Sequence, residues 1–187
     1  MNIVSLGGQC SVVYQLIKQN KRIDAYPFDW CKINIKKLIN VLNNNFKDYE
    51  NIILKKISEN HKLIELNCIT KKNSMVFKNN YGIEFAHEIS KKYEINNFKE
   101  SLLRRINRFK KLKNPLFIRL EYENLSEKKI LLYKNLENIL EKYFENFKII
   151  LISKIKYQSK YTNWYELNAY SDDWKYDNLN WDKIFNI

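Results

Sequence analysis

Cys10 stands where an apolar run, NIVSL, passes through two glycines into SVVYQLIK, a helical pattern. A helix start leaves backbone N–H groups unpaired and carries partial positive charge. A thiolate there is stabilised, and a cysteine pKa can fall from about 8.5 into the ~3.5–7.5 range. The same N–H groups can receive a developing oxyanion. Gly7 and Gly8 would let the backbone turn tightly and approach a substrate. SLGGQCS therefore has the physical parts of a nucleophile elbow, although not in the GxSxG form. Two other readings compete. Strand, Gly-Gly and helix is also how α/β proteins cradle phosphates, and Cys10 could be a small residue buried at a βα turn. GGQCS matches neither GxGxxG nor GxxxxGK[ST].

Few other residues could join a thiol in chemistry. The chain has two histidines. His61 lies in the polar stretch ENHKL and reads as a surface residue, whereas His87 follows the strand-like YGIEFA. Arg119 ends the apolar run PLFIRL. A charge there needs a partner, from Glu121, Asp29 or a tail aspartate, or else a substrate carboxylate or phosphate. AYPFDW at 25–30 reads either as an aromatic plug in a core or as part of a site. The arginines of RRINRF at 104–109 read as a solvated helix face rather than a phosphate site. The three cysteines, Cys10, Cys31 and Cys68, are odd in number and make a poor disulfide framework. No CxxC or HxxxH spacing suggests zinc. No metal and no cofactor is expected.

These residues need elements to position them. Asn2–Leu6 reads as a buried strand, and Val12, Val13, Leu16 and Ile17 recur at helical spacing after it. Ile33, Ile35, Leu38, Ile39 and Leu42 suggest a second helix that ends in the run Asn43–Asn45, and Asn96 to Leu112 reads as a third. Asn51–Ile57 is ambiguous. Leu63–Asn67, Met75–Phe77 and Tyr81–Ala86 look like short strands, with a hairpin turn at Lys71–Asn73. Pro115–Leu120, a helix over Ser126–Glu145 and Lys148–Ile152 read as a parallel βαβ crossover. The tail, Tyr157–Ile187, is polar and aromatic and has no assigned element. The periodicity predicts one α/β domain over 1–187. A mostly parallel central sheet would be flanked by helices in three Rossmann-like layers, with a short antiparallel edge. Active sites in such folds lie at the carboxyl ends of strands. That rule gathers Gly7–Cys10, Arg119–Glu121 and Ser153-Lys154 on one rim.

Bulk properties narrow the function classes. The chain has 187 residues, of which 45% are hydrophobic and 14% aromatic, so it is long and apolar enough to bury a core. The formal charge of +12 could attract nucleic acid, anionic lipid or acidic substrates. Both signs are interleaved along the chain and no nucleic-acid-binding module is present, so nucleic acid is not favoured. No signal peptide or membrane span is visible, and an intracellular, cytoplasmic location is the expectation.

Taken in order, SLGGQC at 5–10, AYPFDW at 25–30, FAHE at 85–88, RRINRF at 104–109 and LFIRLE at 116–121 resemble a papain-like cysteine peptidase family of bacterial and viral proteins. The resemblance covers most of the first 120 residues, and the last 60 match only loosely. It implies a cysteine-dependent hydrolase or acyltransferase of peptidase or amidase type. Cys10 would be the nucleophile, and His87 would take the thiol proton and return one to the leaving group. Asp29, held rigidly by its proline and aromatics, is the first choice to orient the imidazole, with Asp172, Asp173 and Asp177 as alternatives. Glu88 is too close in sequence to pair easily with His87. Gly8, Gln9, Ser11, Trp30 and Arg119 form the expected oxyanion and substrate-binding set. Papain-like enzymes carry their oxyanion glutamine several residues before the cysteine, so Gln9 departs from that pattern. The resemblance implies a papain-like α+β fold, which stands as the alternative to the parallel sheet. A peptide, amide or anionic small-molecule substrate is expected. Two other functions compete. One is a binding or transferase module for a phosphorylated or nucleotide-linked ligand. The other is a non-catalytic interaction protein on an old enzyme scaffold.

Overall fold

The computed structural model describes residues 2–56, 75–85, 87, 95–121, 126–168 and 173–186. Among the described residues, two four-stranded sheets organise the fold. The first runs β1 (Ile3–Ser5), β6 (Leu116–Leu120), β7 (Lys148–Ser153), β8 (Thr162–Glu166), and every neighbouring pair is parallel. The second is antiparallel, in the order β2 (Cys31–Lys32), β5 (Glu84–Phe85), β4 (Met75–Asn79), β3 (Ile52–Lys56). The helices among the described residues are α1 (Ser11–Lys18), α2 (Ile35–Asn43), α3 (Ile95–Lys110), α4 (Glu127–Leu140) and α5 (Trp181–Phe185).

β6 and β7 are continuous apolar runs because both faces of the parallel sheet are covered. Alternation divides their side chains between two cores. Val4, Phe117, Ile149 and Leu151 join Leu38 and Leu42 of α2, Phe98 and Leu102 of α3, and Tyr133 and Leu136 of α4. Ile3, Leu116, Ile118, Leu120, Ile150 and Ile152 meet Val12 and Leu16 of α1 and Trp181, Ile184 and Phe185 of α5. The parallel sheet is thus sandwiched between helices, as the periodicity predicts, and the fold is α/β. β6, α4 and β7 make the expected parallel crossover.

The departures are local. The antiparallel strands form a sheet of their own rather than an edge on the parallel one. The tail is more ordered than its composition predicts, since it contributes β8 and α5. Of the strand read at Tyr81–Ala86, Glu84–Phe85 pairs among the described residues, and Ala86 lies outside them. The strand read at Leu63–Asn67 and the turn at Lys71–Asn73 lie outside the described residues. No helix among the described residues is long and apolar enough to cross a membrane.

Candidate active site

β1 delivers the chain to the carboxyl rim of the parallel sheet, where Leu6 N–H still bonds the Ile118 carbonyl (2.9 Å). Gly7 and Gly8 then turn it with φ of +69° and +87°. Both positions are closed by protein. A Cβ on Gly8 would stand 2.1 Å from the Leu120 carbonyl oxygen, and one on Gly7 would stand 2.2 Å from Ile33 Cγ2. The glycines therefore let this turn pack down between β6 and the chain after β2. They do not hollow out a phosphate cradle.

Cys10 follows at the N-cap of α1, and its carbonyl accepts from Tyr14 N–H (3.1 Å). Its side chain makes no cap bond to the helix. Cys10 is only 1% exposed, so the open sulfur that a nucleophile elbow predicts is not what the fold presents. The turn is pressed onto β6 at Leu120, and the thiol that follows it is enclosed. Gln9 and Ser11 on either side are buried as well. Ser11 Oγ has no hydrogen-bond partner among the described residues.

Arg119 lies under this turn as a strut. It is fully buried. Its Nη1 donates to the Leu6 carbonyl (3.0 Å), and Nη2 donates to the Ile33 carbonyl (3.0 Å) and to Glu121 Oε2 (3.1 Å). The Tyr133 hydroxyl donates to the same Glu121 oxygen (2.5 Å). Burial alone would lower the guanidinium pKa, but Glu121 and Tyr133 hold it above its ordinary value. Burial also pushes the Tyr133 phenol up. Of the partners the sequence offers Arg119, the fold uses Glu121. The guanidinium ties the end of β1 to the exit of β2 and exposes no face to an external anion.

The AYPFDW turn divides by role. Tyr26 and Phe28 are buried, Phe28 among Phe46, Tyr49 and Phe109. Asp29 closes the turn. Its Oδ2 accepts from Tyr26 N–H (3.0 Å) and from Arg22 Nη2 (2.8 Å). Burial raises its pKa, with the Arg22 charge opposing. Among the described residues Asp29 bonds Arg22 and Tyr26, not His87. Trp30 leaves the turn with φ +56°. That conformation is a genuine outlier for a bulky residue and costs about 1–3 kcal/mol. It aims the indole at His87, with ring centroids 4.9 Å apart.

His87 is exposed and has a second indole beside it, Trp174, at 5.4 Å. Trp174 in turn meets Tyr14 edge-on at 5.3 Å. Tyr14 is one helical turn beyond Cys10. A chain of rings therefore runs from the helix that begins at Cys10 to the imidazole. Tyr14 and the Trp174 contact escape a local reading of the sequence, because 87 residues separate Trp174 from His87. The only signal was the cluster of tryptophans in the tail.

The remaining residues with an expected role fall elsewhere. Asp177 bonds α1 through Gln15 and Lys18. Asp173 is exposed. Asp172, Glu88, His61 and Cys68 lie outside the described residues. Cys31 is buried, with its thiol donating to the Phe28 carbonyl (3.1 Å). In RRINRF, Arg104 and Arg108 are on the surface, but Arg105 is buried against the Phe98 ring at 5.8 Å.

Comparison with known proteins agrees with these motifs. "Uncharacterized protein R408" of Acanthamoeba polyphaga mimivirus is 28% identical to the chain, over 97% of this chain and 95% of its own length. A family described as "Putative papain-like cysteine peptidase (DUF1796)" matches residues 1–158. That span contains Cys10, Trp30, His87 and Arg119, and the chain belongs to this family.

Proposed function

We propose that the protein is a cysteine hydrolase of peptidase or amidase type, with Cys10 as nucleophile and His87 as its base. The observation that carries this reading is the family match over residues 1–158, a span that holds both Cys10 and His87. A ring path from Tyr14, one turn beyond Cys10, through Trp174 to His87 supports it. Cys10 Sγ passes its proton to the His87 imidazole and bonds the carbonyl carbon of the substrate. The carbonyl oxygen takes the negative charge and turns toward the first N–H groups of α1, which have no acceptor within the helix. The tetrahedral intermediate breaks its C–N bond as His87 returns the proton to the leaving amine. Water then attacks the thioester, His87 takes a proton from it, and the thiolate leaves. Because Cys10 is enclosed, a local opening precedes acylation.

Asp29 enters this scheme as a positioning residue. By fixing the 26–29 turn it holds Trp30, and through Trp30 the imidazole. Arg119 acts in the same indirect way on Gly7–Cys10. The phosphate-cradle alternative has less support, since the glycine positions are filled by protein and Arg119 is sealed. Removal of the base is expected to lower Cys10 reactivity by the roughly 10²–10⁴-fold that general base catalysis supplies. Alkylation of Cys10, followed by mass spectrometry in native protein and in His87→Gln, is the test. Equal rates in both would overturn the reading.

A further inference from the structure

The part of the chain beyond the family region packs on the candidate site. Residues 173–180 lie along α1 and are held there by one buried amide and one ion pair. Gln15 Nε2 donates to the Lys175 carbonyl (2.9 Å) and to Asp177 Oδ1 (2.6 Å). Lys18 Nζ bonds the same Asp177 oxygen at 2.9 Å. Gln15 is almost completely buried, which is unusual for a helical glutamine without such a partner. Behind these bonds, Trp181 Nε1 donates to the Tyr176 carbonyl (2.7 Å), and Trp181, Ile184 and Phe185 share a core with Val12 and Leu16 of α1. In front of them stands Trp174, between Tyr14 and His87.

We infer that residues 173–186 form a strap whose latch, Asp177 on Gln15 and Lys18, holds Trp174 against the His87 imidazole. Asp177 and Trp174 are then positioning residues for His87. The hydrophobic contacts of α5 hold the strap to the body of the protein. The latch sets where its leading edge lies. Trp30 reaches His87 from a turn locked by Asp29, so the imidazole is fixed on one side by a rigid turn and on the other by a detachable one. Opening of the latch would free that second side of the imidazole without unfolding α1 or the parallel sheet. The placement of His87 by the strap stands on the contacts alone. Its consequence for Cys10 rests on the dyad reading above.

The test is the imidazole proton resonance of His87 in the full chain, assigned by comparison with His87→Gln. Two flanking indoles act on that proton through their ring currents, so Trp174→Ala shifts its resonance. The inference requires Asp177→Ala and Gln15→Ala to move it in the same direction, with circular dichroism unchanged. If Trp174→Ala does not fold, the two latch variants decide, since Asp177 is partly exposed. An unmoved resonance in Asp177→Ala overturns the inference, whatever happens at Cys10. The alkylation rate of Cys10 as a function of pH is read on the same variants. A moved His87 resonance with an unmoved Cys10 profile supports the strap and sinks the dyad instead.

Discussion

Arg119 shows how a residue that reads as a ligand can serve the site from below. Its guanidinium sits on two carbonyls and one carboxylate, in full burial. Removing one partner of such a pair leaves an uncompensated charge and costs roughly 3–5 kcal/mol. Arg119→Met should therefore lower the stability measured by urea unfolding by that amount. Glu121 keeps the Tyr133 hydroxyl but loses its buried counter-charge, so the loss exceeds what the deleted side-chain area would give. Arg119→Lys should recover only part of it, because an ammonium cannot span the Leu6 and Ile33 carbonyls and Glu121 together. Half of this network is legible in the sequence. Glu121, two residues beyond Arg119, is one of the partners that the sequence offers, since residues two apart in extended chain share a face. Tyr133 comes from a helix far along the chain, and no local pattern announces it.

At the level of elements, the glycine turn is the most constrained piece. Gly8→Ala places a methyl group 2.1 Å from the Leu120 carbonyl oxygen, at a φ of +87°. Gly82 also has a positive φ, +69°, but its nearest neighbour is the flexible tip of Lys37 at 3.1 Å. Both alanine variants carry the strain of a left-handed residue, on the order of 1 kcal/mol. Gly8→Ala must also push the turn off β6. Thermal unfolding should therefore show a clearly larger fall in Tm for Gly8→Ala than for Gly82→Ala, and the reverse order would contradict the packing account. The elements that the sequence reveals are those with a strong period. LFIRL and KIILI are apolar throughout because they are covered on both faces. TNWYE is an edge strand that buries fully only Thr162, so its pattern is too polar to read. β2 and β5 have two residues each, too few for any period.

Across the whole molecule, several buried and half-buried tyrosine hydroxyls among the described residues have raised pKa values. Burial, then Glu137, pushes Tyr157 up to about 12. Burial also raises Tyr49, and raises Tyr133 beside Arg119 and Glu121. Glu137 accepts from Tyr157 (3.0 Å), Ser159 (2.5 Å) and Thr162. This joins α4 to the chain between β7 and β8. A group whose pKa is higher when folded contributes stability below its unfolded value, near 10 for tyrosine. That contribution is lost as the pH rises through the folded value. Stability should therefore be level in the neutral range and fall between about pH 10 and 12, and Tyr157→Phe should flatten the fall. A spectrophotometric titration that finds every tyrosine ionising near pH 10 would contradict this.

The central claim, that Cys10 and His87 work as a pair, is tested most directly by the pH dependence of Cys10 alkylation. It is read peptide by peptide in native protein and in His87→Gln. Cys31 is equally buried and serves as the internal record of global opening, which exposes both thiols. The account predicts that Cys10, corrected by Cys31, reacts well below the ordinary thiol range near 8.5, and that His87→Gln removes this advantage. Superimposable profiles for the two proteins, or a Cys10 no faster than Cys31, would contradict it.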